Sequence, residues 1–116
     1  MNKTRVLAAF RRAKRYLRQG WCKNALAQTR TGRECTVTSI HAVEWCPRGA
    51  IQRAAADLAF RDDRLLRQML LVVSEVGSRR HIFLPEWNDW AWRTKEEVIT
   101  FLDECINAIR EKEKAT

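Results

Sequence analysis

The stretch Trp87-Asn88-Asp89-Trp90-Ala91-Trp92-Arg93-Thr94-Lys95-Glu96-Glu97 limits most strongly what this chain can fold into. It holds three of the five tryptophans within six residues and runs straight into a helix start. Thr94 and Glu97 have the spacing of a capping box, in which the hydroxyl takes the amide three residues on and the carboxylate reaches back to the amide of Thr94. A loop carrying that much aromatic surface gains on the order of 2 kcal/mol per ring by leaving water. The other helices are therefore expected to pack around it, with Trp87 as the core anchor.

The helices themselves are legible from periodicity. Asn2 to Gln19 is the first, stopped by Gly20, with Val6, Phe10, Ala13 and Leu17 forming one apolar stripe. Pro47 is suited to the first turn of a second helix, which places Cys46 at its N-cap, where the helix dipole is expected to lower the thiol pKa. Ala50, Ile51, Ala54, Ala55 and Leu58 give that helix a face of small residues to which Trp45 or Trp87 is suited. Asp62 and Asp63 open a third helix, ended by Gly77. Its face of Leu65, Leu66, Met69, Val72, Val73 and Val76, widened by Leu70 and Leu71, predicts the central, most buried helix. Pro85 predicts an extended segment over Ile82 to Pro85. The last helix runs from about Lys95 to Glu111, followed by a frayed tail at about 112–116.

Between the first two helices the pattern is weaker. Ala25 to Gln28 and the β-branched run Cys35 to Thr38 flank a Gly-containing loop, so a short β-hairpin over about 25–38 is one reading and an irregular loop the other. Ser39 is placed to cap a short helical turn that includes Val43. The fold class that follows is mainly α, a single domain over residues 1–116 of four or five helices, with that hairpin as an option.

Charge is distributed unevenly. The chain has a net charge of +8, yet residues 1–33 carry ten Lys or Arg and no acid, while the remainder carries twelve basic against fourteen acidic side chains. The basic character belongs to the N-terminal third alone. On the first helix Arg11, Arg12, Lys14, Arg15 and Arg18, with Arg5, fall on the flank and back of the apolar stripe. Such a face suits nucleic-acid phosphate, an anionic membrane or an acidic protein surface, or it serves only to keep the protein soluble.

Two further constellations bear on chemistry. Cys46 with His41 suggests a thiolate and a base, but a spacing of five does not bring the side chains together. Asn88 and Asp89 between tryptophans would present an amide and a carboxylate to a ligand, in a pocket walled by Trp45, Trp87 and Trp90 and floored by Cys46, Asn88 and Asp89. Alternatively, they shape a local Asx turn. Trp90 and Trp92 remain as contact candidates. Four cysteines without a Cys-x-x-Cys pair and two distant histidines predict free thiols and no metal site. No phosphate-binding glycine loop, catalytic triad pattern or cofactor motif is present. The longest apolar run, Met69 to Val73, is too short to span a bilayer, and the cationic start lacks a signal-peptide core, which predicts a cytoplasmic protein.

The motifs, taken together, resemble a family of small, uncharacterised bacterial and phage proteins. The residues that carry the likeness are Trp21, Gly32, Trp45-Cys46-x-x-Gly49-Ala50-Ile51, Trp87-Asn88-Asp89 and Arg93-Thr94-x-x-Glu97-Val98, spanning Val6 to Ile109. The chain departs from the pattern at Pro47-Arg48, in Trp90 and Trp92, and in its basic first helix. The resemblance implies a compact, mainly helical domain of unknown function and assigns no catalytic residue. The expectation from sequence is thus a binding or regulatory module, not an enzyme, that uses its basic helix on nucleic acid or an acidic protein. The Trp-lined pocket, holding a small molecule or an active site, is the alternative.

Overall fold

A computed structural model describes residues 1–90 and 92–115. Five helices, α1 (Lys3–Gln19), α2 (Pro47–Leu58), α3 (Arg64–Arg79), α4 (Leu84–Asp89) and α5 (Lys95–Ala115), are joined by a small antiparallel pair, β1 (Ala27–Gln28) and β2 (Glu44–Trp45). No helix among the described residues is long and apolar enough to cross a membrane.

The central helix is α1, not α3. It packs against α2, α3 and α5, and Val6, Ala9, Phe10, Ala13 and Leu17 are completely buried. Asn2 caps it, its side chain accepting the Arg5 amide at 3.1 Å. Helix α3 is less enclosed than its composition implies. Leu71 is 70% exposed because Arg67, Ser74 and Ser78, four, three and seven residues away, share its side of the helix and hold that side in water.

Three boundaries differ from expectation. Gly77 does not end α3, which continues to Arg79. The glycine is there because the chain reverses at His81 (φ 55°) and folds back onto the helix. The Gly77 carbonyl accepts the Ile82 amide at 2.8 Å, and a Cβ on Gly77 would lie 2.8 Å from the Ile82 carbonyl. The segment before Trp87 is extended only to Phe83, and Leu84 already starts α4. Pro85 is tolerated in that first turn because the amide it lacks would have no helical partner. Helix α5 continues past Glu111 to Ala115, so the tail is helical over most of the stretch expected to fray; Thr116 lies outside the described residues.

The hairpin partner also differs. Ala27 and Gln28 pair with Trp45 and Glu44, while Cys35 contributes one amide to the Ala27 carbonyl and the chain then turns. Ser39 organises a single turn, accepting the Ala42 amide on its carbonyl and the His41 amide on its hydroxyl, and Val43 goes on to pair with Gln28. Trp45 explains the choice of strand. The residue is buried, 3% exposed, with its ring against Tyr16, 4.8 Å between centroids, and its indole N–H donates to the Val37 carbonyl at 3.1 Å. Burying that ring favours wrapping residues 21–45 around it over pairing 35–38 as a strand.

The start of α2 presses on this layer. The Cys46 amide donates to the Leu26 carbonyl at 3.2 Å, and a Cβ on Gly49 would sit 1.9 Å from the same oxygen. Only glycine permits the approach. Gly49→Ala is expected to lower unfolding stability by roughly 2 kcal/mol through forced backbone displacement, read as a lower urea midpoint at unchanged slope; wild-type stability would show that α2 does not dock as described.

Candidate anion-binding face and the cleft at Cys46

The cations of α1 divide into two sets. Arg12 donates from Nε to Asp57 at 2.9 Å, Lys14 pairs with Asp103 of α5, Arg5 donates to the Leu58 carbonyl, and Lys3 donates to the Lys112 carbonyl. These side chains tie α1 to its neighbours. Asp57 is a hub that also receives the Tyr16 hydroxyl and Arg53 Nε at 3.2 Å. Partial burial pushes its carboxyl up, but the hydrogen bonds from Tyr16, Arg12 and Arg53 outweigh that and hold it below the usual carboxylate range. Conversely, the Asp57 hydrogen bond raises the Arg12 pKa. Of the five basic residues singled out in the sequence, Arg12 and Lys14 therefore belong to internal packing.

Arg11, Arg15 and Arg18 are different. All three are exposed, and among the described residues none meets an acidic side chain. Spaced four and three apart, they lie within about 60° of one another around the axis and span roughly 10 Å along it. Thr4 and Ala8 continue the same exposed stripe without an acid.

The second candidate is a cleft of about 370 Å³ between the α2 start, the 24–26 segment and α4. Cys46, Asn88 and Asp89 line it, as expected, together with Leu26, Arg48 and Pro85. The tryptophan wall does not exist. Trp45 faces Tyr16, and Trp87 packs on Phe101 of α5 at 5.7 Å with the Arg93 guanidinium 4.0 Å over its ring. Trp90 lies outside the cleft, 59% exposed, and Trp92 is 89% exposed. Trp45 and Trp87 thus pack on other rings of the core, and Trp90 and Trp92 stay at the surface.

Asn88, Asp89 and Cys46 each make bonds within the protein, whereas Arg48 and Glu34 of the lining are exposed. Asn88 is 99% buried; its Oδ1 accepts the Trp21 indole N–H at 2.8 Å and its Nδ2 donates to the Cys22 carbonyl at 3.2 Å. Asp89 accepts the Asn24 amide at 2.9 Å. These are bonds across more than sixty residues, so Asn88 is turned inward and neither residue forms a merely local turn, while Asp89 remains exposed at the cleft.

Cys46 is the N-cap of α2, its sulfur accepting the Gly49 amide at 3.3 Å. Burial nevertheless pushes its thiol pKa up, against the pull of the Gly49 and Arg48 amides, so the expected activation by the helix terminus is reversed. His41 lines a separate hollow and does not approach it. All four cysteines are free thiols, with Cys22 and Cys105 raised to about 12 by burial. Among the described residues no three His, Cys, Asp or Glu side chains gather as a metal site would require.

Sequence reasoning missed Asp57 and Trp21. The Arg53–Asp57 spacing of four was a usable local signal for the first; nothing local signals the Trp21–Asn88 bond. A model of a family of unknown function (DUF6197) matches residues 1–108. No curated protein and no solved structure matches the chain.

Two outcomes follow. Asn88→Leu strands the Trp21 indole and Cys22 carbonyl and is expected to cost roughly 2–3 kcal/mol in a denaturant titration; a neutral substitution would remove Asn88 from its tying role. Cys46 is expected to react with iodoacetamide at pH 8 more slowly than free cysteine, followed by mass spectrometry, and a faster reaction would restore the nucleophile.

Proposed function

Because the chain belongs to the DUF6197 family, whose function is unknown, we propose its role from its surface: it is a small binding module that grips nucleic-acid phosphate through Arg11, Arg15 and Arg18 of α1. The observation that carries this reading is the separation of the α1 cations, four tied into the fold and three left together on an exposed stripe. A guanidinium fits a phosphate oxygen pair better than an ammonium does, and all three exposed cations are arginines. No aromatic ring lies on the stripe, Tyr16 being turned onto Trp45, so contact is to backbone phosphate and independent of base sequence. The likeness of its motifs to small bacterial and phage proteins supports a cytoplasmic accessory or regulatory role. The cleft at Cys46 supports a small-molecule site less well, since no tryptophan walls it and Asn88 and Cys46 are bonded internally.

The test is fluorescence anisotropy with a labelled DNA duplex across a salt series. Three displaced counterions predict a slope of about −2.7 in log affinity against log salt, roughly a 40-fold loss between 50 and 200 mM. The triple variant Arg11→Glu, Arg15→Glu, Arg18→Glu is expected to abolish binding, while each exposed substitution shifts stability by only about 0.5 kcal/mol. Absence of binding by the wild-type protein at low salt ends the nucleic-acid reading and leaves an acidic protein as the partner for the same face.

A further inference from the structure

The loop after β1 and the turn before β2 enclose a shallow hollow of about 440 Å³ on a different part of the surface from the Cys46 cleft. Arg30, Arg33 and His41 line it beside the hydroxyl-bearing Thr29 and Thr31. No acidic residue contributes to its lining. Neither arginine meets a carboxylate among the described residues, and both are exposed, as is His41.

Charge is sorted along this segment. Arg33 lines the hollow, whereas its neighbour Glu34 lines the Cys46 cleft. Val43 lines the hollow, whereas the next residue, Glu44, has its side chain beside Gly20. Successive residues of extended chain point to opposite sides, so this alternation gathers cations and directs acids elsewhere. The rim is held in shape: the Thr29 amide donates to the Arg33 carbonyl at 2.8 Å, the Gly32 amide to the Thr29 carbonyl at 2.9 Å, and the Arg33 amide to the Thr29 hydroxyl at 3.2 Å. Two guanidinium groups three residues apart on a closed turn, facing an imidazole and two hydroxyls, form a donor-rich concavity for an oxyanion.

We propose that this hollow is a binding site for a phosphoryl group, separate from the arginine stripe of α1. Arg30 and Arg33 supply paired donors to its oxygens, and Thr31 and His41 supply further ones. Ile40, 92% exposed at the rim, gives an apolar contact for the organic body that carries the phosphate. That body is either a nucleic-acid backbone or a free phosphorylated metabolite, and the two sources are experimentally separable.

The experiment is amide chemical-shift mapping on the ¹⁵N-labelled full chain, first with inorganic phosphate at low salt and then with a short single-stranded oligonucleotide. Millimolar phosphate is expected to shift the amides of Thr29 to Arg33 and His41 saturably. In Arg30→Ala/Arg33→Ala the apparent affinity is expected to fall at least tenfold, with the α1 amides unmoved as evidence of an intact fold. His41→Gln is expected to give a smaller loss. Phosphate binding at this loop is expected to survive in the Arg11/Arg15/Arg18→Glu protein, so failure of the α1 reading leaves this one standing. If the oligonucleotide shifts the loop with a lower midpoint than phosphate, the backbone is the source; if only phosphate shifts it, the ligand is a small phosphorylated molecule. Shifts spread over all cationic surfaces, or an unchanged affinity in the double arginine variant, overturn the proposal.

Discussion

The structure between α1 and α2 depends on the buried side-chain amide of Asn88. Helix α4, which carries it, is six residues long and far too short to persist alone. What fixes its position is the pair of bonds from Asn88 to the Trp21 indole and the Cys22 carbonyl, reinforced by Asp89 on the Asn24 amide. Arg93 closes the other side, its Nε on the Trp87 carbonyl at 3.0 Å and its guanidinium over the Trp87 ring. A carboxamide is suited to the task because it donates and accepts at once inside a dry layer, where an unmatched partner would cost more than the bond gains. No buried side-chain polar atom among the described residues is left without a partner.

The same economy of partners governs the charged surface. Counted along the chain, the first thirty-three residues are uniformly basic, but the fold does not expose them uniformly. Asp57 and Asp103 come from helices far along the sequence and draw Arg12 and Lys14 inward, while Tyr16 turns onto Trp45 and away from solvent. Of the α1 cations, three arginines on a single stripe remain after these pairings. The exposed cationic stripe of α1 is therefore narrower than the sequence charge and more regular in spacing, which suits the proposed recognition of a repeating polyanion.

Legibility tracks the range of the interaction that decides each feature. The capping box at Thr94 and Glu97 forms as its spacing implies, with the Glu97 amide on the Thr94 hydroxyl at 3.2 Å and the Thr94 amide on Glu97 at 3.1 Å. Pro47 with Cys46 at the N-cap, and the apolar stripe of α1, are equally local and equally readable. The pairing of residues 27–28 with 44–45, the contact of Gly49 with Leu26 and the bond from Trp21 to Asn88 join segments that have no periodic relation. The tryptophans mislead for that reason. A ring's size predicts that it will be buried, but its partner is chosen by topology, and Trp45 and Trp87 went to Tyr16 and Phe101 instead of walling a pocket.

Cys46 shows why a helix terminus is insufficient to define a reactive site. The amide of Gly49 at 3.3 Å and the dipole of α2 favour a thiolate, yet the sulfur sits where solvation is withheld, and the loss of hydration dominates. Activation needs a thiol that is both near positive potential and wet. Here the close approach of α2 to the Leu26 carbonyl, which only Gly49 permits, brings the helix start against the 24–26 segment and leaves Cys46 half-buried. The contact that seats α2 thus works against thiolate formation at its N-terminus. The outer stripe of α1 and the hollow at Arg30 and Arg33 stay solvated and cationic, and these are the two places proposed to meet phosphate without desolvating a buried charge.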